Sequence, residues 1–128
     1  MRFLGAIKEF PHAAAARLSQ IDYDREMALI ALDTREGSRG ELLGVARIVA
    51  TPDNEKAEFA VMVRSDMKGR GLGFQLMKDI IECARRRGVG VLYGDVLSEN
   101  RTMLTMAAEL GFAREVSKDG LVRISLKL

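Results

Sequence analysis

The chain has 128 residues, of which 48% are hydrophobic and 30% are charged, and this balance is typical of one ordinary globular domain. The net charge of +2 is too small to indicate nucleic-acid binding, and no run approaches the roughly 20 apolar residues of a membrane span. With one cysteine and a charged, interrupted N-terminus, the sequence predicts a cytoplasmic domain without nucleic-acid or membrane partners.

The first half of the chain predicts short elements and a hairpin. Residues 2–4 begin a strand, and Pro11 precedes an alanine-rich helix over residues 12–18. A second helical turn is expected over residues 22–26, with Asp22 as its cap. Two mostly apolar strands follow, over residues 27–33 and 42–50, joined by a loop containing two glycines.

The next strand, residues 57–63, has a clear two-residue alternation. Ala57, Phe59, Val61 and Val63 share one face, and Glu58 lies on the other. This strand leads directly into the most informative segment of the chain.

A basic, glycine-rich turn follows this strand and opens into a helical pattern. Backbone N–H groups at a helix N-terminus have no intrahelical partner, and the helix dipole adds partial positive charge there. Lys68 and Arg70 add two full charges. No Gly-Lys-Ser/Thr closes the turn as in a Walker loop, and Leu76 stands where a dinucleotide fingerprint needs its third glycine. The turn therefore predicts a site for another phosphate-bearing ligand.

The second half predicts alternating helices and strands. An amphipathic helix runs from Leu72 to about Arg87, and its lone Cys83 is expected to be buried rather than nucleophilic. A strand follows over residues 89–97, and then a helix over residues 100–110 with Ser98 as its cap. Residues 112–116 and 121–126 form a final hairpin.

Two motifs resemble one known superfamily. Lys68-x-x-Gly71-x-Gly73 resembles motif A of the GNAT N-acetyltransferases, which has Gln or Arg at the position of Lys68. The segment from Asn100 to Phe112 resembles the GNAT segment Asn-x-x-Ala-x-x-Leu-Tyr-x-x-x-Gly-Phe, with Ala107 in place of its tyrosine. The predicted order β-α-α-β-β-β-α-β-α-β-β also matches. The resemblance implies an α/β GNAT fold: a mixed, mostly antiparallel twisted sheet of six to seven strands flanked by about four helices.

The resemblance also implies acetyl-CoA as co-substrate. The turn would hold its pyrophosphate, the preceding strand would pair with its pantetheine arm, and the asparagine would bind the CoA arm. The residues expected in these roles are Val61, Met62, Val63, Lys68, Gly69, Arg70, Gly71, Leu72, Gly73 and Asn100. Asn100 also fits a simple helix cap.

Glu58 is the candidate general base. A free lysine has a pKa of about 10.4 and a glutamic acid about 4.3, so unassisted proton transfer is uphill by roughly 8 kcal/mol. The base must therefore have a raised pKa or act through water. The resemblance places a catalytic Glu here, and the alternative is a solvent-facing carboxylate paired with a cation such as Arg47. Tyr23 and Tyr93 remain for protonating the thiolate, and the sequence selects neither. The single His12 has no metal-binding partner, so no metal is expected.

Residues 16–31, 57–71 and 99–104 resemble more narrowly the bacterial protein lysine acetyltransferases that control acyl-CoA synthetases. This resemblance implies transfer to a protein lysine, with Asp22 and Asp24 lining the acceptor side. An acetyltransferase for a small amine and a non-catalytic acyl-CoA sensor remain open. We expect residues 1–128 to be one domain, either natural or cut from a longer protein. The sequence leaves the oligomeric state open.

Overall fold

The computed structural model describes residues 2–3, 8–9, 16–22, 25–67, 71–116 and 119–128. These residues form nine strands, a short 3₁₀ turn (Ser65–Met67) and two α-helices. In chain order the elements are β1 (Arg2–Phe3), β2 (Lys8–Glu9), β3 (Ala16–Asp22), β4 (Glu26–Asp33), β5 (Leu42–Ala50), β6 (Lys56–Val63), α1 (Leu72–Arg86), β7 (Val91–Leu97), α2 (Arg101–Glu109), β8 (Ala113–Val116) and β9 (Leu121–Lys127).

The strands form one sheet in the order β1-β3-β4-β5-β6-β7-β9-β8, with β2 paired to β3. Every pairing is antiparallel except that of β6 with β7, which is parallel. A parallel pair needs a crossover connection, and α1 supplies it. The predicted mixed, mostly antiparallel sheet is therefore confirmed.

One face of the sheet packs against both helices and forms the core. The alternating residues of β4, β5 and β6 that face α1 are buried, as the two-residue period requires. Leu72, Leu76 and Ile80 of α1 are fully buried against them. A Cβ on Gly44 would stand 3.1 Å from Leu76 and 3.3 Å from Leu72, so the missing side chain lets α1 approach β5 closely. Cys83 is buried in this core, as predicted.

The first part of the chain differs from the prediction. Ala16–Leu18, expected in a helix, lies in β3, which pairs with β4 over seven residues from Ala16↔Asp33 to Asp22↔Met27. Alanine favours a helix, but this tertiary pairing overrides the local preference. The helical turn expected over residues 22–26 is also wrong at its ends, because Asp22 closes β3 and Glu26 opens β4. Residues 10–15 and 23–24 lie outside the described part.

The second half follows the prediction closely. Helix α1 ends one residue earlier than expected, and α2 is shorter by one residue at each end. Ser98 does not cap α2, because the side chain of Asn100 accepts the Met103 N–H at 3.2 Å. Neither described helix combines the length and apolar character needed to cross a bilayer.

Candidate active site

The central feature of the sheet is the place where β6 and β7 separate. Their ladder pairs Lys56 with Val91, Ala57 with Leu92 and Glu58 with Tyr93, and then stops. Strand β6 continues to Val63, paired on its other side with β5. Within the described residues, the β7-facing backbone groups of β6 beyond Glu58 have no strand partner. An extended ligand can therefore pair with β6 as an added strand would.

An aromatic ring and a glycine meet at the separation point. A Cβ on Gly94 would stand 2.7 and 2.8 Å from two ring atoms of Phe59, so no side chain larger than glycine fits there without displacing that ring. Phe59 also packs edge-on against Phe112, with ring centroids 5.7 Å apart. These contacts fix the relative position of the two strands where they diverge.

The glycine-rich turn stands at the far end of β6. Gly71 takes the N-cap position of α1 with φ 84°, a left-handed conformation that favours glycine, and no side chain caps the helix. The first intrahelical bond joins the Gln75 N–H to the Gly71 carbonyl, so the N–H groups before Gln75 have no acceptor within the helix. Lys68, Gly69 and Arg70 lie outside the described residues. The described half of the turn has the geometry of an anion site.

Val61, Met62 and Val63 lie on the separated part of β6, in the strand where the sequence placed them. Val61 and Val63 are half-buried against the helices, whereas Met62 is 74% exposed on the opposite face. Leu72 is fully buried in the core, so only its backbone can contact a ligand.

Helix α2 lies beside the turn. Met106 Cε and Val63 Cγ2 both come within 4 Å of the point where a Cβ on Gly73 would stand. Asn100 is exposed, and its side-chain oxygen caps α2, which leaves its amide N–H₂ group available to a ligand. Ala107, at the expected tyrosine position, is buried in the core, so α2 offers no proton donor there.

Glu58 lies on the open face of the sheet, opposite the helices. Its side chain is exposed, and within the described residues it forms no ion pair or side-chain hydrogen bond. Arg47, its partner in the alternative explanation, instead pairs with Glu26 at 3.2 Å. The pairing of Glu58 with Arg47 is therefore not formed in the described structure.

On the same face, Tyr93 forms a cluster with Asp95 and Arg123, two residues that the sequence did not single out. Arg123 of β9 donates to both carboxylate oxygens of Asp95, at 3.0 and 3.2 Å, and lies 4.9 Å from the ring centroid of Tyr93. These hydrogen bonds hold the pKa of Asp95 below its usual range, with the charge of Arg123 as a further cause. Glu58 is also close enough to contribute to the raised pKa of Arg123, which is due mainly to Asp95. Alternate residues of a strand share one face, so the sequence pattern could have indicated that Tyr93 and Asp95 lie together on one face of β7.

Two bidentate ion pairs lie near the end of β6, one in the β4–β5 hairpin and one in the segment after β6. Arg35 donates to the buried carboxylate of Asp33 at 2.7, 3.0 and 3.1 Å, and these bonds lower the pKa of Asp33 to about 2. Arg64 donates to Asp66 at 2.6 and 2.8 Å, and its backbone N–H binds the Leu43 carbonyl. Asp33, Arg35 and Arg64 help to line one cavity of about 480 Å³. The backbone bond from Arg64 to Leu43 ties the segment after β6 to β5.

Of the two predicted acceptor residues, the structure describes only the backbone of Asp22. Asp22 closes β3, where it pairs with Arg2 and Met27, and Asp24 lies outside the described residues. Among the described side chains, no group of three or more His, Cys, Asp or Glu residues could hold a metal ion.

Comparison with known proteins connects this geometry to a family. A sequence model of the acetyltransferase (GNAT) family matches residues 3–112. An acetyltransferase of Pseudomonas aeruginosa is 35% identical over 127 residues, covering 99% of this chain and 68% of that protein. The L-methionine sulfoximine/L-methionine sulfone acetyltransferase of the same species is 40% identical over 55 residues, which are 43% of this chain and 32% of that enzyme.

A solved structure gives the same result. The GNAT domain of S. lividans PAT superposes with a TM-score of 0.70 at 27% identity, over 84% of this chain and 64% of that domain. The match therefore spans about two thirds of the P. aeruginosa acetyltransferase and slightly less of the PAT domain.

Proposed function

The chain belongs to the acetyltransferase (GNAT) family, and from that premise we propose that it transfers an acetyl group from acetyl-CoA to a primary amine. The observation that carries the proposal is the separation of β6 from β7 directly after Glu58. An unpaired strand edge, the N-terminus of α1 and the carboxylate of Glu58 support the proposal. We assign them in that order to the pantetheine arm, the diphosphate and the acceptor amine.

The transfer proceeds by direct attack. The neutral amine nitrogen forms a bond to the thioester carbonyl carbon, the C–S bond breaks, and coenzyme A leaves as a thiolate that takes up a proton. A backbone N–H of β6 beyond Glu58 polarises the carbonyl oxygen. Glu58 accepts the proton that the amine loses, directly or through water. No acyl-enzyme is needed, which agrees with the burial of Cys83.

We assign Tyr93 as the acid that protonates the departing coenzyme A thiolate. Ala107 is buried and carries no acid, whereas Tyr93 is the Cα partner of Glu58 at the separation point. The Arg123 guanidinium over its ring places a cation beside the group that gives up the proton. A thiolate, whose conjugate acid has a pKa of about 8.5, also needs less assistance than an alkoxide.

For the acceptor we propose a lysine side chain of a protein, with an acyl-CoA synthetase as the first candidate. Glu58, Ala60 and Met62 lie on an exposed sheet face, which suits a bulky acceptor better than an enclosed pocket would. The narrower resemblance of residues 57–71 and the likeness to the PAT domain support this choice.

A small amine is the second candidate acceptor. It is favoured by the 55-residue match to an acetyltransferase whose substrates are amino-acid analogues. With the first candidate the acetyl group is transferred to a lysine side chain of a protein, and with the second it is transferred to a free small amine.

One assay separates the acceptors. The protein is incubated with acetyl-CoA and either a purified acyl-CoA synthetase or L-methionine sulfone, and released thiol and acetyl-lysine are both measured. Acetyl-lysine formation on the synthetase supports the protein acceptor. Thiol release with L-methionine sulfone alone transfers the assignment to small amines. If neither acceptor is acetylated although acetyl-CoA binds tightly, both acceptor proposals are overturned. That result favours a non-catalytic acyl-CoA sensor.

A further inference from the structure

A shallow groove runs along α2, beyond the path described above. It has a volume of about 440 Å³, and its lining residues come from one face of the helix: Arg101, Thr102, Thr105, Met106 and Glu109. None of these residues has a role in the mechanism proposed above.

The direction of α2 relates this groove to the coenzyme path. Phe112, just after the helix, packs on Phe59 at the separation point, while Met106 lies level with Gly73 at the start of α1. Helix α2 therefore runs opposite to β6. Arg101 lies five residues before Met106, about 7.5 Å further along the helix axis. The Arg101 end of the groove is thus beyond the anion site, on the side away from Glu58.

This position corresponds to one part of the coenzyme. If the thioester is at the separation point and the diphosphate is at Gly71 and Gly73, the adenosine must continue past the start of α1. The groove along α2 is a surface that it would meet there. Coenzyme A carries a phosphate on the ribose 3′ oxygen, and this group needs a cation or several hydrogen-bond donors.

Arg101 has the required chemistry. Arg35, Arg47, Arg64, Arg86 and Arg123 are each committed to an ion pair. Arg101 forms none within the described residues and is exposed. The hydroxyl of Thr105, one turn along the same face, adds a donor. Glu109 is eight residues away, about 12 Å along the axis, so the anionic group belongs at the Arg101 end.

We propose that Arg101, assisted by Thr105, binds the ribose 3′-phosphate of the coenzyme and makes the protein discriminate against donors that lack this phosphate. The inference rests on the proposed use of acetyl-CoA, and it adds a specificity-determining contact to that site.

Calorimetric titration with CoA and with 3′-dephospho-CoA tests the assignment. We expect the wild type to bind CoA about tenfold more tightly than dephospho-CoA, since an exposed charge-assisted contact is worth about one factor of ten. Arg101→Ala should weaken CoA binding about tenfold and leave dephospho-CoA binding unchanged. Arg101→Lys should retain part of the discrimination. The matched control is Arg114→Ala, which removes an exposed arginine of β8 and should change neither affinity.

The outcomes separate this inference from the proposed function. If the wild type binds both nucleotides equally well, or if Arg101→Ala weakens both equally, the assignment of Arg101 is wrong while coenzyme binding stands. If the wild type binds neither nucleotide, the proposed function fails and this inference fails with it. Unchanged dephospho-CoA binding by Arg101→Ala also shows that the variant is folded.

Discussion

Glu58 and Tyr93 are Cα partners in the last pair of the β6–β7 ladder, and the two strands separate immediately beyond them. The proposed base and the proposed acid therefore stand side by side at the point where an unpaired strand edge begins. Arg123 lies over the Tyr93 ring, and its pKa is raised chiefly by Asp95 and in part by Glu58. This arrangement makes the separation point, rather than any enclosed pocket, the expected centre of the reaction.

Replacing Glu58 by Gln should lower kcat/KM by about 10² to 10⁴, because the amide keeps the shape of the side chain but cannot accept a proton. The affinity for acetyl-CoA should not change, since Glu58 lies on the face opposite the helices. Steady-state kinetics and calorimetry measure the two quantities. Glu55→Gln in the exposed turn between β5 and β6 is the control and should retain full activity. Full activity in Glu58→Gln would remove this residue from the mechanism.

Replacing Gly71 by Ala should weaken both the fold and the anion site. Gly71 has φ 84°, and a side chain in this left-handed conformation costs about 1 to 2 kcal/mol. The strain should also turn the first N–H groups of α1 away from the coenzyme diphosphate. Urea unfolding and CoA titration measure the two effects.

Gly88→Ala is the matched control for this change. Gly88 follows the other end of α1 with φ 79°, and no atom lies within 4 Å of the point where its Cβ would stand, so the backbone strain is similar. Both variants should lose comparable stability, but Gly71→Ala alone should lose CoA affinity. An equal loss of CoA affinity in both would mean that the turn has no specific role.

The parts of the fold that were predicted correctly have strong local patterns. Leu72, Leu76 and Ile80 repeat at the helical period, and the residues of β6 alternate at the strand period, so α1 and β6 follow from sequence alone. Strand β3 has no such pattern, because its identity depends on its seven-residue pairing with β4. The residues of β3 alone do not indicate that this segment pairs with β4.

The residues of the candidate site also divide into those with a local sequence pattern and those that depend on a distant partner. The turn at Gly71 was predicted from residues adjacent in sequence, and the role of Glu58 was predicted from the family resemblance. The cluster of Tyr93, Asp95 and Arg123 could not be predicted in these ways, because Arg123 is 28 residues from Asp95 and the contact depends on the register of β7 with β9. The sequence predicted Ser98 as the cap of α2, but Asn100 caps the helix. Serine and asparagine are both favoured at this position, so residue type alone does not distinguish them.

Replacing Gly94 by Ala should destabilise the protein by about 1 to 3 kcal/mol, because the new methyl group would overlap the Phe59 ring. Phe59→Leu in the same chain should relieve part of the clash. The double variant should then lose less stability than the sum of the two single variants, as expected for residues in direct contact. Urea unfolding of the wild type, the two single variants and the double variant gives the four free energies of unfolding that this comparison needs. Strict additivity would show that the ring and the glycine do not determine each other's position.

The buried Asp33 should make the stability depend on acid pH. Its pKa is lowered to about 2 from the usual 3.8, chiefly by hydrogen bonds from Arg35, so the folded state favours the charged form. Stabilisation from this group is therefore complete above pH 3.8 and is lost as the pH falls towards 2. Asp33→Asn removes the effect while keeping the shape of the side chain. The free energy of unfolding of the two proteins should differ most at about pH 5 and above, and roughly a third of that difference should remain at about pH 2.5. A difference that stays constant between these pH values would mean that the ion pair with Arg35 does not shift the titration of Asp33.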